Sequence, residues 1–462
     1  MAKVFHVLTA SLLLAVSAGS MQAQVSEGGS RYLKQPMPES WAFTQEVSQT
    51  LPSDDEWWKA FGDSTLDSLI SLGIDNNYNI KEAAHRREMA RLAMQETKAG
   101  YYPSVGVSAG YARSYSNHTG GNKFSLGADV NWEFDLFGKI TSKVRASKAG
   151  FDVSRADYVA TMVSMTAEIV TYYINYRVLQ TQIAVANEHI QYQDTVVKIT
   201  EARYAAGLVS KLDVAQAKTV YYSTEASLPL LEAKAQQALN ALGVLLGVYP
   251  AELEPVLGPL AKLPSYHHII PVGVPANLLR RRPDIAAAEA TLAQYAAQIG
   301  VAKKDFLPTI SLKGSIGWGG DRLNNMVNSD GFSYSIAPQL SWTLFDGLSR
   351  KYAVARAKEQ MMLGIDDYNL TVMTAFIEVE NAMQSYQAAL NSLELDKEVF
   401  NQSHEAFTLS MEQYKQGLSP FTNVVNAQID WLNYANALVS AHGDALVALV
   451  DLYKALGGSP IE

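Results

Sequence analysis

The stretch FSLGADVNWEF, residues 124–134, sets Phe124, Leu126, Ala128, Val130, Trp132 and Phe134 on one side and Ser125, Gly127, Asp129, Asn131 and Glu133 on the other. Such a period of two is the signature of a strand with one apolar and one polar face. GFSYSIAPQLSWTL, residues 331–344, repeats it, with Phe332, Tyr334, Ile336, Leu340, Trp342 and Leu344 opposite Ser333, Ser335, Gln339, Ser341 and Thr343. Each stretch is preceded by a partner that opens on a proline. PSVGVSAGYARS starts at Pro103 and PTISLKGSIGW at Pro308, and the loops between partners, YSNHTGGNK and GGDRLNNMVNSD, are rich in Gly and Asn. Two β-hairpins are predicted, over residues 103–134 and 308–344.

A strand in an ordinary sandwich alternates in the same way, so alternation alone leaves two assignments open. Two features favour a membrane barrel. The strands run to about 11 residues, the length a tilted strand needs to cross a bilayer, and Trp132, Phe134, Trp318 and Trp342 gather toward strand ends, as in an interfacial girdle. Four strands cannot close by themselves, and an open edge in lipid leaves backbone groups without partners. Several chains must then contribute to one barrel.

Outside the hairpins the pattern is helical. Residues 139–206 contain no proline, and Met165, Ile169, Tyr172, Tyr176, Leu179, Ile183, Ala186 and Ile190 keep a 4-3-4-3 spacing, with Val163, Ala167, Val170, Ile174, Val178 and Val185 on an adjoining face. Two seams suit a helix flanked on both sides, as in a bundle or a closed wall of helices. At about 1.5 Å per residue such a helix approaches 100 Å, beyond any compact domain. A second run, residues 350–416, is also free of proline.

The two halves repeat. RYAAGLVSKLDV begins at Arg203 and QYKQGLSPFTNV at Gln413, so that Tyr204, Gly207, Leu208, Val214 and Ala217 match Tyr414, Gly417, Leu418, Val424 and Ala427; Trp132 matches Trp342 at the same offset. Residues 64–250 and 283–460 each read helix, hairpin, long helix, tight turn (207–210 and 417–420) and helix (211–247 and 421–457). Residues 24–63 and the proline-rich stretch 251–282 flank the repeats, the latter predicted as a non-helical linker. Gly207 and Gly417 are placed to end the long helices in the left-handed conformation. Ser210, three residues before Asp213, and Ser419 before Pro420 are placed to start the next ones.

Composition excludes several classes. The 462 residues carry a net charge of -9 and no cysteine. There is no basic cluster for nucleic acid, and no disulfide, thiolate metal site or lipidated N-terminal cysteine. Residues 1–23 read as a signal peptide, with Lys3, an apolar run and cleavage after Ser20 or Ala23. No later stretch reads as a membrane-spanning helix, since ALVSAHGDALVALVDLYKAL is interrupted by His442, Asp444 and Asp451. His267-His268 has no partners at metal-ligand spacing, RRRPD reads as a solvated face or local ion pairing, and no catalytic group, cofactor or metal site is expected. The chain is not expected to be an enzyme.

The pieces RYAAGLVSKLDVAQAK, NWEFDLFGK, SWTLFDGLSRK and LLRRRPDIAAAEATLAQYAAQIGVAKKDFLPTISL resemble the TolC-like outer-membrane efflux proteins. These are the exit ducts of tripartite pumps and type I secretion systems, and the resemblance is to the multidrug-efflux, nodulation-type branch. It implies a mixed α and β homotrimer: a 12-stranded β-barrel with four strands per chain, continued by a 12-helix periplasmic α-barrel with an equatorial domain. It further implies an outer-membrane protein of a Gram-negative bacterium, with a periplasmic adaptor (membrane fusion) protein and an inner-membrane transporter as partners. By resemblance, Gly207, Leu208, Val209, Ser210, Gly417, Leu418, Ser419 and Phe421 form the tips that dock the adaptor. Asp213, Asn423 and Asn426 occupy gate positions, the two asparagines standing where members often carry aspartate. Leu126, Val130, Trp132, Ile336, Leu340 and Trp342 are expected to face membrane lipid. The alternatives are a periplasmic helical scaffold without a channel and a passive porin-like pore.

Overall fold

The computed structural model describes residues 32–42, 56–116, 119–258, 263–264, 266, 275–323 and 331–458. The signal-peptide assignment, much of the stretch 24–63 and His267-His268 lie outside these residues. Two packing units are present. Among the described residues, one comprises those within 32–36, 85–156 and 284–371, the other those within 37–84, 157–283 and 372–458.

In chain order the elements are α1 (Ser64–Asn76), α2 (Tyr78–Ala99), β1 (Ser104–Ser116), β2 (Thr119–Phe134), α3 (Lys139–Ala205), α4 (Lys211–Leu246), α5 (Pro250–Leu257), α6 (Leu278–Arg281), α7 (Pro283–Lys304), β3 (Thr309–Gly320), β4 (Phe332–Ser341), α8 (Ser349–Lys415) and α9 (Phe421–Ala455). The helices α3 and α8 are 67 residues each.

The first unit holds a single antiparallel sheet in the order β1-β2-β3-β4. Strands β1 and β2 extend further into their connection than the Gly-rich sequence suggests, with Gly120 and Gly121 paired to Tyr115 and Ser114. A ladder uses backbone groups, and glycine supplies those as well as any residue. At the far end β4 stops at Ser341, ahead of Trp342 and Leu344. The Trp342 indole N–H instead donates to the Phe306 carbonyl at 3.0 Å. Trp132 makes the equivalent bond to Tyr101 at 2.9 Å, so the repeat reproduces one strand-end latch in both hairpins.

The second unit has its core where α1, α3, α4 and α9 meet. Leu66, Leu69, Ile169, Val170, Ile174, Leu242, Leu246 and Val450 are all at or near full burial. A Cβ on Gly73 of α1 would lie 2.4 Å from Ile169 Cδ1 and 3.1 Å from Leu246 Cδ2, so its absence sets how closely α1 approaches α3 and α4. The helix α5 departs from the predicted non-helical linker. Pro250 occupies its first turn, where a missing N–H costs nothing, and buried Leu253 and Leu257 hold it to the core. Among the described residues α9 alone is long and apolar enough to cross a membrane, but many of its apolar side chains, including Leu446, Leu449 and Val450, are used in this core.

One buried polar network crosses that core. Asp63 caps α1 by accepting from Thr65 N at 2.9 Å and also accepts from the Tyr173 hydroxyl. Arg177, 1% exposed, donates to Tyr173 Oη (3.2 Å), Gln180 Oε1 (2.8 Å) and the Leu257 carbonyl (2.7 Å). Burial, reinforced by the bond to Asp63, pushes the Tyr173 hydroxyl up to about 12. Truncation would leave several buried acceptors unpaired, each worth about 1–3 kcal/mol. Arg177→Ala is therefore expected to lower the thermal unfolding midpoint by calorimetry, with a loss of about 3 kcal/mol or more.

Candidate functional site: matched helix turns and a two-faced sheet

Both turns end their long helix with the same hydrogen-bond pattern. In the first, Leu208 N donates to Arg203 O (2.9 Å) and Gly207 N to Tyr204 O (2.9 Å); in the second, Leu418 N donates to Gln413 O (2.9 Å) and Gly417 N to Tyr414 O (3.0 Å). Gly207 and Gly417 have φ of 69° and 74°. This is the Schellman termination, in which only glycine enters the left-handed region without a Cβ penalty. A leucine after the glycine commonly packs back onto its own helix in that motif. Leu208 and Leu418 do not; they are 66% and 74% exposed.

The structure brings the two turns together. Arg203 Nη1 donates to the Lys415 carbonyl at 2.8 Å, in the last turn of α8, and its guanidinium lies 5.0 Å from the Tyr414 ring centre. Beneath them lies one apolar cluster containing Val196, Phe407, Met411, Tyr414, Phe421 and Val424, with Val209 packed against its side. Burial, with the Asp213 carboxylate adding to it, raises the pKa of Tyr414. Phe421 corrects the expectation that it offers docking surface. It is 3% exposed and packs on Tyr414 with ring centres 5.0 Å apart, since the first residue of α9 points inward beneath the turn.

Asp213 and Asn423 occupy matching positions, and each meets a serine ahead of its helix. The Ser210 hydroxyl donates to Asp213 Oδ1 at 2.8 Å, and Asn423 Nδ2 donates to Ser419 Oγ at 3.0 Å. Asn423 and Asn426 are exposed and line an open groove of about 600 Å³ between α8 and α9, with Gln402 and Asp430. The Arg203 bridge was not evident from sequence, because Arg203 lies outside the matched positions of the repeat.

The sheet register resolves the other half of the site. Val105, Val130, Gly314 and Ile336 lie in one row across the four strands, and Val107, Ala128, Ile316 and Tyr334 in another. By alternation, Leu126, Val130, Trp132, Ile336 and Leu340 share this apolar face. The opposite face carries rows such as Ser108, Gly127, Gly317 and Ser333. Trp342 falls beyond the last paired residue of β4 and is 55% exposed. Among the described residues, β1 and β4 each present one edge with no strand against it.

An open-edged sheet with one largely apolar face, joined to very long helices that return through matched turns, defines the class of outer-membrane ducts in which each chain contributes to both the barrel and the helical conduit. A family model for outer membrane efflux proteins matches residues 69–248 and 274–458, and this chain belongs to that family. It is 28% identical over 423 residues, 90% of this chain and 89% of the relative, to the solvent efflux pump outer membrane protein SrpC of Pseudomonas putida. It is 27% identical over 382 residues, 80% and 81% of the two chains, to nodulation protein T of Rhizobium leguminosarum bv. trifolii. The solved outer-membrane channel OprN is similar with a TM-score of 0.82 and 30% identity, over 92% of this chain and 98% of that one.

Proposed function

We propose that this chain is the outer-membrane channel subunit of a tripartite efflux or secretion system, passively conducting solutes delivered by an inner-membrane transporter and a periplasmic adaptor. The observation that carries the reading is the sheet register, which gathers the apolar side chains on one face while leaving both sheet edges open. The apolar face, with Leu126, Val130, Trp132, Ile336 and Leu340, meets lipid, and Trp342 lies at its border. The Ser- and Gly-rich face lines water. Closure needs more than one copy. Two copies give eight strands, an interior that side chains fill, whereas three give twelve and leave an aqueous lumen. The homotrimer is the smallest assembly that closes and conducts.

In this reading the turns at Gly207–Ser210 and Gly417–Ser419 dock the adaptor, and Asp213, Asn423 and Asn426 form the periplasmic constriction. The purified mature protein, cross-linked to count its chains and added to a planar bilayer, is expected to run as three chains and to insert as a conducting pore. A monomer that stays in the aqueous phase would overturn the reading in favour of a helical scaffold.

A further inference from the structure

The polar face of the sheet is nearly neutral. Of the charged side chains in the four strands, Lys123, Asp129 and Glu133 of β2 and Lys313 of β3 lie on it, while Arg113 of β1 falls on the other face. Three of the four are neighbours. Lys313 stands directly opposite Asn131, so Asp129 and Glu133 are its two diagonal neighbours on β2, about 7–8 Å away between Cα atoms. Lys123 is six residues from Asp129, about 20 Å along the strand and beyond a Debye length at physiological salt. The trio sits at the end of the strands that adjoins the helices, since β2 runs into α3 and β3 follows α7. Its surroundings are Ser311, Ser315, Gly127 and Gln339, which carry no charge.

We propose that Asp129, Glu133 and Lys313 are the charge-selecting ring of the exit pore: two carboxylates favour cationic solutes, and the lysine between them restrains that preference. The inference rests on the reading that the polar face lines the lumen. With one net negative charge per trio, three copies make a weakly negative ring. Lys313→Gln doubles that charge, and the Asp129→Asn/Glu133→Gln pair makes the ring positive. Charges at a pore wall act on permeant ions without binding them tightly, which suits a duct that must release what enters.

The chain's lack of cysteine allows a direct test. Ser315→Cys, two residues from Lys313 on the same face, reports the local potential through its relative rates with a cationic and an anionic methanethiosulfonate in reconstituted protein. Ser335→Cys, paired with Ser315 in the register, is a second reporter. The cationic reagent is expected to react faster. Lys313→Gln should raise the cationic-to-anionic ratio about fivefold at low salt, the double carboxylate variant should bring it below one, and both changes should shrink at 1 M salt. Equal ratios in all three proteins overturn the ring. Ile316→Cys, on the apolar face, separates that failure from failure of the underlying reading. If Ile316→Cys is shielded by lipid while the serine reporters react, the lumen assignment stands whatever the ratios; if Ile316→Cys reacts as readily, the lumen assignment and the ring both fall.

Discussion

Leu208→Asp combined with Leu418→Asp is expected to abolish export by the assembled pump while leaving the channel protein folded, trimeric and inserted. The two leucines follow the left-handed glycines of the matched turns, and neither is covered by its own chain. Burying one leucine against a partner is worth about 2 kcal/mol. Two per chain therefore amount to about 4 kcal/mol, near a thousandfold in affinity, before the cost of placing carboxylates in an apolar contact is added. The fold should tolerate the change, because the turn hydrogen bonds are made by backbone groups and the supporting cluster lies beneath, at Phe421, Tyr414 and Val424. Dye accumulation in cells lacking any other outer-membrane factor, together with adaptor capture by the purified protein, is the measurement. Unchanged export by the double variant would remove the turns from the docking surface.

Arg203→Ala should act in the opposite direction, turning a small or intermittently conducting channel into a persistently open one in planar bilayers. Its guanidinium ties the end of α3 to the end of α8 through the Lys415 carbonyl and covers the Tyr414 ring. A cation placed over an aromatic ring contributes about 0.5–2 kcal/mol according to its solvation. Removing both contacts frees the first turn to move against the second. Asp213→Ala is the companion variant, since it removes a carboxylate near the same tyrosine and the partner of the Ser210 hydroxyl. Several-fold higher conductance in either variant supports a constriction at the turns. Wild-type conductance in both would place the constriction elsewhere along the duct.

Much of the architecture is legible because it depends on local periodicity. Alternation at residues 124–134 marks a strand, since successive side chains must point to opposite faces. The absence of proline from residues 139–206 and 350–416 permits two very long helices, and a glycine followed by a serine marks each reversal, although only Ser210 caps the helix that follows; in the second turn Pro420 takes the cap position. Such signals survive without any knowledge of neighbours. The proline-rich stretch misleads for the same reason: a local rule reads Pro250 as a breaker, and burial of Leu253 and Leu257 makes the helix nonetheless.

What repeats in the sequence is not always equivalent in space. Tyr204 and Tyr414 match in the repeat, but Tyr204 is 47% exposed and Tyr414 only 4%, because Phe421 packs under the second turn where the first has exposed Lys211. Of the two seams on α3, Ala167, Val170 and Ile174 on one and Ile169 and Ala186 on the other are deeply buried, while Tyr172 of the latter is exposed. Periodicity marks both faces as apolar, but only the positions of the other helices determine which residues along each are covered.

By itself, then, the sequence determines the strands, the long helices, their reversals and the need for more than one copy, since each follows from steric and solvation rules acting within a few residues. The tertiary structure alone decides that β2 lies beside β3, that Lys313 falls between Asp129 and Glu133, and that Arg203 bridges the two turns. These contacts join residues far apart in the chain, and their free energies depend on distances that no local pattern encodes.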